Sequence, residues 1–570
     1  MEISKKYDVI ILGGGLAGLT LALQLRQSRA GISILVLEKR QHSAPVATHK
    51  VGESTSELGA SYLREVLNLK EYLTEHQLPK FGFRFFFSPE HSDDIARRVE
   101  VGSRILNPFP THQIDRGIFE NDLVNLLMDC NVDILLEARV LHIELSGEGH
   151  KVGFQKDGNG HHAEGTWVVD STGRSSLLKR NLGLAKESDH TINSAWFRIE
   201  SDIDIDDWSD NPIWRSYVDP GRRRLATNHL MGEGYWVWII PLVSGCTSIG
   251  IVADPRYHPF DTFNSLEKAQ HWLMQHEPLA AKMLTMHNNR VMDFKVMKNF
   301  AYDCKQFYSS SRWAVTGEAG AFLDPFYSPG TDFIALGNSW ITDLVVRDLN
   351  GEDIRLRAMI YDHTHRELNN GWINLYKNMY GIFGKTQIML MKIIWDWASY
   401  WAVPNVMFMN NGYTNITILK KYSASTESIG RRFAMLSKRM QELFRTWSMY
   451  DSDLFADSYH NVFDLHCLYQ FQMDLTNKYN PEELMEKVRS NLRILEQIAA
   501  EIFRRVSLQI NETPEYMKVD PYTMSIGEGK DELLKKSNSQ NVLDVVDSIK
   551  ADIAKMWLSS VKTRTNEYAQ

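Results

Sequence analysis

Cysteine is scarce and scattered. Cys130, Cys246, Cys304 and Cys467 are the only four in 570 residues, and no two stand at a C-x-x-C spacing. That pattern excludes a usual zinc site or a disulfide framework, and it fits a reducing compartment. Positive charge is in the minority: 63 Lys and Arg stand against 71 Asp and Glu, for a net charge of −8. No long basic tract is present either, so nucleic acid is not an expected partner. An uninterrupted membrane-length apolar run is also missing. The most apolar stretch, IMLMKIIWDWASYWAVPNVMFM at 388–409, is broken by Lys392, Asp396 and Pro404. It reads as a buried or cleft-lining helix rather than a transmembrane segment. The opening MEISKKYDVIILGGG carries too short an apolar part for a signal peptide, so a cytoplasmic protein is the expectation. Internal repeats and low-complexity tracts are absent.

What is present is ordinary globular composition, 43% hydrophobic and 24% charged, in a chain too long for one core. YDVIIL at 7–12 is an apolar β run. Gly13-Gly14-Gly15 follows, then a helical LAGLTLALQLRQ and a second strand, SILVLEKR at 33–40. This is a β-α-β unit that opens a parallel sheet. Between about 190 and 300, SAWFRIE, YWVWIIPL and TSIGIVAD are short, β-branched and aromatic, as in an inserted antiparallel sheet. RWAVTGEAG at 312–320 reads as a return strand, with a helix from near Thr331 to about Leu349. Helical periodicity dominates afterwards, as in residues 483–510. The expected fold class is therefore α/β. Residues 1–350 form a Rossmann-like domain with an inserted sheet at about 80–115 and 190–300, and residues 351–570 form a helical domain.

Gly13-x-Gly15-x-x-Gly18 sits after a strand and opens a helix. The first glycine makes the turn, the second admits a pyrophosphate and the third lets helix and strand pack closely. The helix N-terminus offers N–H groups to phosphate, with Ala17 in its first turn. Glu38, at the end of the second strand, is placed to accept from ribose hydroxyls. No second dinucleotide fingerprint follows.

Three further segments resemble aromatic-hydroxylase-type flavoproteins and point to FAD. HQIDRGIFENDLVNLL at 112–127 carries Arg116, VVDSTGRSS at 168–176 matches a second glycine loop, and VTGEAGAFLDP at 315–325 matches a ribityl-binding motif with Glu318 where aspartate is usual. Trp236-Val237-Trp238-Ile239-Ile240-Pro241 matches the W-x-W-x-I-P motif of flavin-dependent halogenases. Residues 322–330, FLDPFYSPG, fit their F-x-x-P-x-x-S-x-G pattern. The layout resembles the pyrrole- and phenol-acting, pyrrolnitrin-pathway type, found in secondary metabolite biosynthesis.

The resemblance implies an oxidoreductase that uses FADH2, O2 and chloride or bromide to make hypohalous acid. A lysine then passes the halogen to an electron-rich aromatic substrate, either free or tethered to a carrier protein. A separate NAD(P)H-dependent flavin reductase would supply the reduced cofactor. Trp236 and Trp238, with Ile240, would share one strand face as a wall beside the flavin, while Val237 and Ile239 face the other way. LPKFGFRFFF at 78–87 resembles the family's lysine strand, giving Lys80 as the catalytic residue and Arg84 as the alternative. On one continuous strand, Lys80, Gly82 and Arg84 would alternate with Phe81, Phe83 and Phe85. Halide would meet backbone N–H groups around Pro329 and Gly330, and Thr331, which keeps its own N–H, would also contact the cofactor. Pro329 itself has no N–H. Asp332 would set an anion beside the halide unless it caps the following helix and points away.

Two rival readings remain open. One is an FAD-dependent monooxygenase that hydroxylates an aromatic. The other is a non-catalytic flavin-binding interaction protein that docks through its aromatic C-terminal part. Arg222-Arg223-Arg224 reads as a solvated turn or as a face for an acidic carrier. Trp196, Trp214 and Tyr217, and the cluster Trp395, Trp397, Tyr400 and Trp401, are divided between core and substrate channel.

Overall fold

The glycine turn joins two parallel strands at the centre of the first sheet. The computed structural model describes residues 6–45, 51–87, 93–285, 290–423, 428–450, 455, 458–511, 518–526 and 541–558. Strand Lys6–Leu12 pairs in parallel with Ile34–Leu37 on one side and Asn159–Asp170 on the other. Asp133–Leu135 and Trp313–Val315 extend the parallel ladder outward. At the centre Val9–Leu12 and Ile34–Leu37 are runs of Val, Ile and Leu because both faces are covered. Helix Leu16–Ser28, with Leu16, Leu19, Leu21, Leu23 and Leu25 buried, packs against the sheet and against helix Gly330–Leu349.

The second sheet has eight strands. Its order is Val291–Met297, Asn193–Ile199, Thr247–Ala253, Tyr235–Pro241, Thr227–Gly232, Phe83–Phe87, Val99–Gly102 and Tyr459–Asn461. The three segments expected as an antiparallel sheet are neighbours in it. The sheet is mixed, however: Thr227–Gly232 runs parallel to Phe83–Phe87, and Tyr459–Asn461 runs parallel to Val99–Gly102. The last of these strands comes from the C-terminal part. Alternation divides the sheet's faces. Phe83, Phe85, Phe87, Trp236, Trp238 and Ile240 join the large core shared with the first sheet and the C-terminal helices. Phe86, Val237 and Ile239 face a second core closed by helices Leu266–His276 and Pro278–Thr285.

The interrupted apolar run is a buried helix, Thr386–Tyr400, continued by a wide turn at Trp401–Asn405 that accommodates Pro404. Lys392 and Asp396 lie one turn apart and pair at 2.7 Å, and Gln441 donates to Asp396 at 2.9 Å. Mutual neutralisation is what allows both charges inside. Among the described residues no helix is long and apolar enough to cross a membrane.

Two expectations are corrected. Residues 78–87 are not one strand. Leu78–Lys80 and Phe83–Phe87 are separate, and Gly82 at φ +67° turns the chain between them. The face relation between Lys80 and Arg84 is therefore lost. Of the arginine triplet, only Arg223 leaves the solvated turn. Arg223 is fully buried, with Nε 2.9 Å from Glu100 and Nη1 2.8 Å from Asp206. Arg222 pairs with Asp219 and Arg224 with Asp202. Arg84, also fully buried, bonds the same Glu100. Removing one member of such a set leaves a charge in the dry interior. Glu100→Ala should therefore cost about 3–5 kcal/mol in a urea denaturation series. A loss below about 1 kcal/mol would show that the pair behaves like a surface bridge.

Candidate functional site

Two cavities lie on either side of the loop that leads into helix Gly330–Leu349. The first, about 740 Å³, is lined by Gly13, Gly15, Ala17, Glu38, Arg116 and Glu318, and further in by Trp236, Trp238 and residues 328–331. The glycines divide the work as their spacing suggests. Gly13 has φ +101°, and a Cβ there would lie 2.6 Å from the Ser171 carbonyl oxygen. Gly18 is a packing position rather than a lining one, since a Cβ would meet the Gly13 oxygen at 2.1 Å. Gly15 differs from both: a Cβ there would meet nothing within 4 Å. It caps helix Leu16–Ser28 without any side-chain bond to the first amides. An open cradle in front of uncapped N–H groups is what a pyrophosphate requires.

Glu38 is buried and accepts from Gly14 N at 2.6 Å and from Arg40 Nε at 2.9 Å. Arg116 opens its helix behind the Asp115 cap, donating to the Val51 carbonyl at 2.8 Å and to Glu120 at 2.9 Å. Burial raises the Glu318 carboxyl, with Arg116 and Arg174 opposing the rise. The residues thus fit FAD. Gly13, Gly15, Ala17, Glu38, Arg116 and Glu318 would hold it.

Trp236 and Trp238 stand side by side on the cavity wall, ring centroids 5.7 Å apart. Each indole is fixed by its N–H: Trp236 donates to Tyr380 Oη at 3.0 Å and Trp238 to Ser248 Oγ at 3.1 Å. Tyr380 in turn donates to Asp324 Oδ2 at 2.6 Å, and His190 Nε2 lies 2.8 Å from the same oxygen. Asp324 belongs to the FLDPFYSPG loop, so the indole wall and that loop are one hydrogen-bonded unit.

The second cavity, about 870 Å³, contains Lys80 in its wall, beside Thr55, Glu57, Phe83, Tyr327 and Asp332. Lys80 is only 2% exposed. Its Nζ donates to the Thr55 carbonyl at 2.8 Å and lies 3.4 Å from the Phe83 ring centroid. Burial lowers its pKa to about 7, against the opposing pull of Glu57 and Asp332. The amine is therefore partly free base near neutral pH, in reach of being a nucleophile. Arg84, the alternative, lines neither cavity and is spent on Glu100 and the Ser103 carbonyl.

Asp332 does not sit with the lining of the first cavity. It accepts from Ser56 Oγ at 2.7 Å, Gly59 N at 2.8 Å and Tyr400 Oη at 2.7 Å. It therefore satisfies the start of helix Glu57–Ser61, not its own helix as expected. Burial raises its pKa to about 7. Pro329, Gly330 and Thr331 face the first cavity, and no side chain caps the helix they begin.

Residues 6–241 match the family model described as FAD binding domain. The chain is 27% identical over 438 residues to flavin-dependent halogenase chlA of Dictyostelium discoideum, covering 70% of each protein. It is 26% identical over 403 residues to a 1H-pyrrole-2-carbonyl-(peptidyl-carrier protein) chlorinase of Pseudomonas fluorescens, covering 65% of this chain and 82% of that one. Over about two thirds of its length the chain is thus similar to flavin-dependent halogenases. The fold agrees: halogenase PltM in complex with phloroglucinol and FAD matches with a TM-score of 0.61 at 17% identity, covering 86% of this chain and 96% of that one.

Several residues of the site carry no motif. Glu57, buried, faces Lys80 across the cavity and accepts from Asn107 at 3.0 Å and Gln472 at 2.7 Å. Tyr327 donates to Asp396 at 3.0 Å. Tyr380 bridges the wall to the loop. Of the aromatic cluster, Trp397, Tyr400 and Trp401 line the second cavity while Trp395 is core. Trp196 lines the first, Trp214 lies under Arg223, and Tyr217 stacks on Tyr459.

Two tests follow from the geometry. Gly15→Ala should leave the melting temperature of the FAD-free protein unchanged and weaken FAD binding at least about tenfold, a loss on the order of 1.4 kcal/mol. Gly18→Ala should lower the melting temperature itself. Lys80 has a folded pKa near 7, below its unfolded value, so the unfolded chain binds more protons between the two and stability rises with pH there. Lys80→Met removes that dependence. Its stability relative to the parent should fall between about pH 7.5 and 10 by a few kcal/mol. A pH-independent difference would place the amine in water.

Proposed function

We propose that this protein is an FAD-dependent halogenase in which Lys80 delivers the halogen to an electron-rich aromatic held in the second cavity. The observation that carries the reading is the placement of Lys80, sealed from solvent and separated from the FAD cradle by the loop at 328–332. Reduced FAD, when bound, supplies the oxygen activation that converts O2 and halide into hypohalous acid. The chain's own residues do the rest. The first amides of helix Gly330–Leu349, with the positive end of its dipole, offer a place for halide at Gly330 and Thr331. The absence of an N–H at Pro329 removes one donor and leaves those two. Asp332 is turned to the other side, which keeps its charge off the halide.

Trp236 and Trp238 close the cavity wall so that organic substrate does not share the flavin's space. Hypohalous acid that passes the loop meets Lys80. There the ammonium donates a hydrogen bond that aims the halogen, or the free base displaces water and carries the halogen as an N-haloamine. Glu57 lines the same cavity and favours the charged amine, while the proton that the substituted ring loses passes to solvent. Apolar walls exclude water, which would otherwise consume the oxidant.

The wider setting completes the proposal. A separate NAD(P)H-dependent flavin reductase is needed because one dinucleotide fingerprint serves only FAD. Residues 1–350 carry the FAD chemistry, and 351–570 supply the far wall of the substrate cavity. A cytoplasmic location fits the free cysteines. The substrate is either free or carried on a protein, as in the named chlorinase.

The test is incubation with FAD, a flavin reductase, NADH and bromide against a panel of aromatics, read by mass spectrometry. Brominated products, recognised by their isotope doublets, should form with the parent and fall at least about a hundredfold with Lys80→Ala, within the range a positioned group contributes. A product that gains oxygen and survives the substitution would establish a hydroxylase instead.

A further inference from the structure

The second cavity has two chemically different ends. Its inner end is marked by buried ionisable lining residues, Lys80, Glu57, Asp332 and Asp396. Its mouth is marked by exposed lining residues, among them Glu367, Asn370, Arg431 and Lys438. The walls between are mostly apolar, with Leu368, Trp372 and Leu375 from helix Arg355–Tyr376, Leu419 from Ile416–Ser423, and Phe433 from Ile429–Trp447, among a few polar residues such as Thr364, Ser399 and Ser437. A dry cavity of about 150 Å³ is enough to hold benzene. At about 870 Å³ this one is nearly six times that size, within the range that encloses drug-sized ligands. A single small ring placed at Lys80 would leave the apolar corridor filled with water, against the physics of its lining.

Resting on the proposed halogenase reading, we infer that the substrate class is a free, lipophilic arene: an electron-rich ring at Lys80 bearing an apolar chain or further rings along the corridor of Leu368, Trp372, Leu375, Leu419 and Phe433. A carrier-bound small ring fits less well. A polar tether would lie against a mostly apolar lining, and of the arginine triplet that could have met an acidic carrier, Arg223 is buried against Glu100 and Asp206. The reaction itself is unchanged: one ring C–H is replaced by C–X, the halogen comes from hypohalous acid by way of Lys80, and the ring proton leaves to solvent.

The experiment uses a homologous series from phenol to 4-hexylphenol with the FAD-loaded protein. Dissociation constants come from calorimetry on the resting enzyme, and KM for bromination is measured beside them. Each added methylene should tighten both by about three- to fourfold, the factor for burying one methylene, over at least four carbons. Leu375→Arg should flatten that slope in the same protein preparation. Dissociation constants that stay within twofold across the series, or that weaken with the first two carbons, overturn the inference. So does bromination of a carrier-bound ring by an enzyme whose free series is flat. Because calorimetry needs no turnover, a steep slope without brominated product would sink the halogenase reading and leave the lipophilic site standing.

Discussion

An amine cannot be held dry for nothing. Water solvates an ammonium strongly, and a protein interior replaces that hydration only in part. Around Lys80 the replacement is one carbonyl, one aromatic face and two carboxylates at the edge of the cavity. The balance falls short of full compensation, which is why the proton is loosely held. The rest of the site follows from that constraint. Thr55 and Glu57 must come from the segment that leads into helix Glu57–Ser61. Asp332 must be close enough to help and occupied enough not to collapse onto the amine. Ser56, Gly59 and Tyr400 provide that occupation. Gly59 itself has to be a glycine for the two helices to approach, since a Cβ would lie 2.8 Å from Thr331.

The loop between the cavities is fixed from both ends of the chain. Asp324 gathers His190 from just before strand Asn193–Ile199 and Tyr380 from beyond the first 350 residues. Tyr380 also receives the Trp236 indole. Its backbone carbonyl accepts from Gly234 N at 2.8 Å, at the hairpin turn. Phe383 stacks on Phe326 at 4.7 Å. A short turn in the helical part thus sets the orientation of a wall that belongs to the sheet.

Much of the fold was legible from the sequence because it is written in local signals. A strand, a glycine turn and a helix announce a nucleotide site by their order alone, and alternation in WVWIIP correctly assigns both faces of that strand. Legibility failed where the answer was non-local. Gly82 breaks the lysine segment into two strands, and nothing in LPKFGFRFFF distinguishes a turn glycine from a strand glycine. Asp332 looks like a cap for its own helix, because its true partners lie some 270 residues earlier in the chain. Arg223 reads as surface charge because Glu100, which neutralises it, is 123 positions away. Glu57 and Tyr380 carry no pattern at all; only the folded arrangement gives them a task.

The three residues Tyr459–Asn461 are a small element with a large reach. They lie along Val99–Gly102 and end the second sheet on that side. Without them the row of amides and carbonyls on Val99–Gly102 would lie open, an invitation to a strand from another molecule. The helical half of the chain is therefore not an appendage that a minimal flavoprotein could discard. A fragment ending near residue 350 would carry a raw sheet margin at Val99–Gly102.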